Sequence, residues 1–192
     1  MRGRKAPPVA FRTRQAWDGW LRKNHASSDG VWLQFARRGT SKNATISHDD
    51  ALVVALCYGW IDAQTQRLDA EHWLQRFTPR KADSRWSKIN RAKAMELMKS
   101  GQLKPGGLKA IEQAQASGRW ERAYDGQRTA QVPEDLQREL ERRPAAKAFF
   151  GALDSKNRYA ILYRIQDAKK PETRARRIEK FVAMLERGET LH

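Results

Sequence analysis

The spacing of apolar positions along the chain changes several times, and each change marks an element. Trp17, Trp20 and Leu21 recur at helical spacing within residues 13–24, which predicts a short amphipathic helix. Ser27-Ser28-Asp29-Gly30 reads as a turn, and Val31, Leu33 and Phe35 then fall on every second position of Val31–Arg38, the pattern of a strand. A polar loop is expected over Gly39–Asn43. Ser47 is placed to cap a helix with Asp49 and Asp50 in its first turn, where the helix dipole favours anions. That helix runs through the apolar stretch Ala51 to Cys57 and stops at Gly59; being apolar on almost every side, it must be buried. Trp60–Leu68 and His72–Phe77 follow as two strands about the turn Asp69-Ala70-Glu71, and Pro79 ends the hairpin. Plain alternation puts Trp60, Asp62, Gln64 and Gln66 on one face, with Ile61, Ala63 and Thr65 on the other.

Beyond Pro79 every segment reads as helix. Ser84 caps Arg85–Lys99, and Pro105 opens a helix that continues to Ser117 and closes at Gly118. Residues 123–131 have the composition of a linker. Pro133 takes a first helical position ahead of Leu136 and Leu140, Pro144 precedes Ala145–Leu153, and Ser155 caps Lys156–Ala168. The last helix, Glu172–Arg187, buries Ile178, Phe181, Val182 and Leu185. The expected fold is α+β: a small N-terminal α/β unit with a short antiparallel sheet, followed by an all-helical region. The expected division is a basic arm over residues 1–12, an α+β domain over 13–122 and a helical domain over 132–192.

Charge sharpens this picture. Thirty-eight Lys and Arg stand against 22 Asp and Glu, a net +16 on 192 residues. The excess lies in three blocks: +8 over Met1–Thr45, +8 over Arg76–Lys109 and +7 over Arg138–Arg187, separated by acidic intervals that include Ile46–Gln75 at −4. Such a chain attracts polyanions, so nucleic acid, an anionic membrane surface and an acidic protein are the partner classes to weigh. Seven Trp, six Phe and four Tyr exclude a disordered basic tail. One cysteine, Cys57, excludes an internal disulfide and fits a reducing compartment. No apolar run reaches the ~20 residues a membrane span needs, and Arg2, Arg4 and Lys5 lead into no secretory apolar stretch. A cytoplasmic location is expected.

Catalytic and metal motifs are sparse. His25, His48, His72 and His192 have no helical spacing of three or four, and no nucleophile elbow, Walker loop or dinucleotide fingerprint occurs; no metal and no cofactor is expected. Gly106-Gly107 after Pro105 reads as a helix start. Asp62 and Gln64 beside Trp60, with Arg76 on the facing strand and Trp86 further on, outline a polar ligand cleft in which Asp62 is the candidate general base; the alternative is an Asp62–arginine pair that satisfies a half-buried sheet face. The stretch from Leu74 to Lys88 interleaves bases with aromatics, as in surfaces that neutralise phosphates and stack bases. Arg76, Arg80, Lys81, Arg85, Lys88 and Arg91 form one candidate polyanion surface; Lys169, Lys170, Arg174 and Arg177 form another. In the second, cations open a helix against its dipole, a penalty that a bound anion would offset.

Several strings resemble the bacterial YdeI/OmpD-associated family of bacteriocin-protection proteins. They are Lys23–Ser28, Asp50-Ala51-Leu52, Cys57–Asp62, Gln75–Arg80 with Trp86-Ser87, Ser155–Arg164 and Arg174–Leu185, so the resemblance extends from about Trp17 to His192. It implies tolerance of bacteriocins or cationic antimicrobial peptides and association with an outer-membrane porin, with no catalytic residues to carry over. Together the residues and the resemblance point to a non-enzymatic, cytoplasmic, stress-related protein that binds polyanions, nucleic acid above all. The second expectation is a small-molecule enzyme or sensor built on the Asp62 cleft.

Overall fold

The computed structural model describes residues 7–37 and 45–192. The first six residues of the expected basic arm and the expected loop Gly39–Asn43 lie outside them. Among the described residues there are eight helices and three strands, arranged as an α+β N-terminal part and a helical C-terminal part. Two compact units emerge: one takes residues 1–86 and 90–122, the other Ser87–Ile89 and residues 123–192.

In the first unit, Thr13 caps α1 (Arg14–Asn24) by accepting the Ala16 N–H, and Ser47 caps α2 (His48–Cys57) by accepting from Asp50 at 3.1 Å. Between them runs β1 (Val31–Ala36); the hairpin β2 (Trp60–Arg67) and β3 (His72–Pro79) follows α2. The strand order is β1-β3-β2, antiparallel throughout. One face of the sheet presents Val31, Leu33, Phe35, Phe77 and Trp60 to the core with Trp17, Leu21 and α2. Trp17 donates its indole N–H to the Ala51 carbonyl at 3.0 Å and Trp60 donates to His25 at 3.2 Å, so neither buried ring leaves a polar atom unpaired.

The alternation expected for β2 fails after Asp62. Asp62 faces Phe77 and Thr65 faces Gln75, so Ala63 and Gln64 together stand opposite Arg76. This bulge exchanges the faces: Thr65 and Arg67, rather than Gln64 and Gln66, join the Asp62 side. The Thr65 hydroxyl and Gln75 Oε1, 2.9 Å apart, show the new register.

Two cap assignments also change. The helix expected from Ser84 begins only at Lys88 (α3, Lys88–Lys99), because the Ser84 hydroxyl accepts the Lys81 N–H and Trp86 is buried against Trp120, rings 4.9 Å apart. α4 (Pro105–Ala116) starts where Pro105 predicts, and its first turn packs on the end of α2, with Lys104 N–H donating to Cys57 O at 2.9 Å.

In the second unit, α5 (Glu134–Arg142), α6 (Pro144–Ala152), α7 (Ser155–Gln166) and α8 (Pro171–Glu186) enclose Leu136, Leu140, Phe150, Ile161, Ile165, Phe181, Val182 and Leu185. Full burial of each large side chain contributes about 1.5–3 kcal/mol. Asp154, not Ser155, caps α7, accepting the Asn157 N–H at 2.7 Å, which holds its carboxyl below the usual range. The expected linker residues belong to this unit: Ala123 is buried, Tyr124 pairs with Ser87, and Tyr159 donates to the Asp125 carbonyl at 2.9 Å.

Candidate functional sites

The bulge and the burial of Trp60 dissolve the cleft expected from plain alternation. Trp60 is core, and Arg76 points to the face opposite Asp62, its Nη2 3.8 Å from the Asp29 carboxylate. Gln64 is exposed within the bulge, and Trp86 is buried under the Arg80 guanidinium, 3.5 Å from the ring centre. Asp62 meets no arginine among the described residues. Its Oδ2 lies 3.2 Å from His48 Nε2 on the first residue of α2, close enough for an ion pair but off the hydrogen-bond axis.

The first expected polyanion surface is largely occupied by internal contacts. Arg80 covers Trp86 and donates to the Arg85 carbonyl at 3.1 Å, while Arg91 donates to the Trp120 carbonyl at 2.9 Å. These two cations hold down a pair of tryptophans, and with Phe77 fully buried no aromatic of this stretch offers a stacking platform. Lys81 and Arg85 are exposed. Lys88 belongs to the second unit, where its Nζ lies 2.8 Å from Asp125.

Of the second expected surface, Lys169 and Lys170 are exposed but Arg174 and Arg177 are not available. Arg174 grips Asp135 through Nε at 2.5 Å and Nη2 at 2.9 Å and donates to the Ile165 carbonyl; Arg177 lies 3.5 Å from Asp167 and donates to the Arg164 carbonyl. The cations at the start of α8 therefore answer the carbonyls at the end of α7 and nearby carboxylates, which removes the need for an external anion. The Arg174 hydrogen bonds, and secondarily its charge, hold the Asp135 carboxyl below its ordinary range. A depressed folded-state value gives stability that is present above the unfolded value, ~3.9, and lost as pH falls through the folded one. Asp135→Asn should cost about 1 kcal/mol at pH 7, the modest worth of a half-exposed pair, and nothing near pH 2. Urea unfolding at the two pH values checks this, and equal losses at both would refute it.

Another set of cations gathers elsewhere in the first unit. Arg14, Asp18 and Arg22 share one flank of α1 at four-residue spacing, and Lys104 joins them from the segment before α4. They line a cleft of about 710 Å³ that Cys57 also reaches. Asp18 accepts from the Tyr58 hydroxyl at 3.0 Å; burial, then this hydrogen bond, pushes the Tyr58 pKa up to about 12. Arg14 lies 3.6 Å from Asp50, whereas Arg22 and Lys104 have no ion pair among the described residues. Burial also raises the Cys57 thiol, which donates to Val53 O at 3.4 Å and is held as an unreactive thiol. The i, i+4, i+8 spacing on α1 is readable from the sequence; the arrival of Lys104 is not.

Fold and charge together define a two-unit α+β protein with a basic N-terminal unit. Residues 9–110, more than half of the chain, match the family model of a domain of unknown function, DUF8412, and the chain belongs to that family. Residues 129–188 match a second family model, described as bacteriocin-protection, YdeI or OmpD-associated. The resemblance to that family is thereby shown over the C-terminal strings, while the N-terminal strings fall within the first match. No curated protein and no solved structure matches the chain. No helix among the described residues is long and apolar enough to cross a membrane, and no group of three or more His, Cys, Asp or Glu among them could hold a metal ion.

Proposed function

We propose that this is a bacteriocin-protection-like protein that works without catalysis, by binding polyanions, nucleic acid first among them, through its N-terminal unit in the cytoplasm. One observation carries the reading: Arg14, Arg22 and Lys104 line a single cleft whose one lining carboxylate, Asp18, is engaged by Tyr58. The charge layout supports it. The N-terminal unit has twenty-two Lys and Arg against eleven acids, while the helical unit has sixteen against eleven, with Arg143, Arg174, Arg177 and Arg187 all in ion pairs. A chain of net +16 repels cationic peptides, so protection of this kind would come from occupying the anionic surfaces those peptides seek.

Because Phe77 and Trp86, the aromatics of the first expected surface, are buried, contact is with phosphates rather than bases, and sequence preference is small. In a mobility-shift assay at ~50 mM salt the protein should retard unrelated DNA and RNA sequences alike. No retardation under those conditions would end the proposal.

A further inference from the structure

A second cavity in the N-terminal unit has a chemistry that phosphate binding does not use. It lies over the Asp62 face of the sheet, beside the start of α2, as an open cleft of about 880 Å³, within the ~300–1,000 Å³ range of small-molecule sites. Its floor is aromatic. Phe35 and Trp73 stack with ring centres 4.9 Å apart, and the His48 imidazole completes the cluster 5.6 Å from Trp73 and 5.8 Å from Phe35. The Asp62 carboxylate beside Nε2 and the rings on either side restrain that imidazole.

The bulge then supplies the polar wall. By exchanging the faces of β2 it places Thr65 and Arg67 over this floor, with Arg67 directly across from Trp73. Thr65 is engaged by Gln75, and Asp49, on the α2 side, lies 2.7 Å from Lys93. Arg67 is exposed and has no ion pair among the described residues. A π-surface next to an unneutralised guanidinium selects a flat ring that carries an anion.

We propose that this cavity binds a small planar aromatic carboxylate, with the ring against Trp73 and the carboxylate on the Arg67 guanidinium. A simple inorganic anion would leave the aromatic floor unused, and an organic cation would be repelled by Arg67, which lines the cavity. This site is independent of the polyanion cleft and stands whether or not nucleic acid binds.

The test is a titration of the whole, ¹⁵N-labelled protein with benzoate, 4-hydroxybenzoate and 2-naphthoate, each beside its neutral amide. The reporter is the Trp73 indole N–H resonance, assigned by its disappearance in Trp73→Phe. At least one carboxylate should shift that resonance saturably, with a Kd of about 1 mM or tighter, and its amide should bind about tenfold more weakly, the loss of one charge-assisted pair. Arg67→Gln should abolish that preference while leaving the urea midpoint unchanged. Absence of a saturable shift with all three acids, amides that bind as well as the acids, or an unchanged preference in Arg67→Gln would each overturn the proposal.

Discussion

Replacing Gly59 by alanine should destabilise the protein by about 3 kcal/mol or more, combining a strained backbone with an overpacked contact. Gly59 has φ +75°, and a Cβ there would lie 2.4 Å from the Gly106 carbonyl oxygen and 2.8 Å from its carbon. Both are backbone atoms, so no rotamer change relieves the clash. The contact is reciprocal: a Cβ on Gly106 would meet Tyr58 O at 2.6 Å, and one on Gly107 would meet Cys57 O at 2.5 Å. These glycines let the positive start of α4 reach the carbonyl end of α2, which also positions Lys104 at the basic cleft. Gly19 is the control. It sits inside α1 with nothing within 4 Å of a Cβ, so Gly19→Ala should stabilise by about 0.5–1 kcal/mol, the ordinary helical preference. Urea titration of both variants decides it; a loss below about 1 kcal/mol for Gly59→Ala would contradict this account of the packing.

The second large effect is on binding. Arg22→Glu/Lys104→Glu should weaken DNA binding about 50-fold near 0.1 M salt, since each lost phosphate contact forgoes the release of about one counterion. Lys169→Glu/Lys170→Glu makes the same change in total charge within the helical unit, where both lysines are exposed, and should weaken it only a few-fold. If the two pairs reduced affinity equally, net charge alone would govern binding and the cleft would have no special part. Urea midpoints close to that of the parent protein would show that either loss is not unfolding.

Much of the fold could be read from local pattern. The Ser47 cap, the buried α2, the turn into the β2–β3 hairpin, the start of α4 at Pro105 and the apolar stripe of α8 all depend on residues close in sequence. What could not be read depends on distant partners. The bulge at Ala63-Gln64 is set by pairing with β3, and the late start of α3 by Trp86 packing on Trp120. The charged candidates misled for the same reason. Arg80, Arg91, Arg174 and Arg177 look like free cations in a string of bases, but each is engaged by a tryptophan ring, a carbonyl or a carboxylate that the string does not reveal. Asp62 stands on the same side of the sheet as Phe77, and its neighbour is His48, fourteen residues earlier, rather than the arginine of the adjacent strand.

The central claim is that the N-terminal unit binds polyanions by phosphate contact, and the salt dependence of DNA affinity tests it most directly. Fluorescence anisotropy of a labelled duplex should give log K falling linearly with log salt at a slope of about −4 or steeper, roughly 250-fold between 50 and 200 mM, for any sequence. Absence of binding at 50 mM salt, or a slope near zero, would contradict the account.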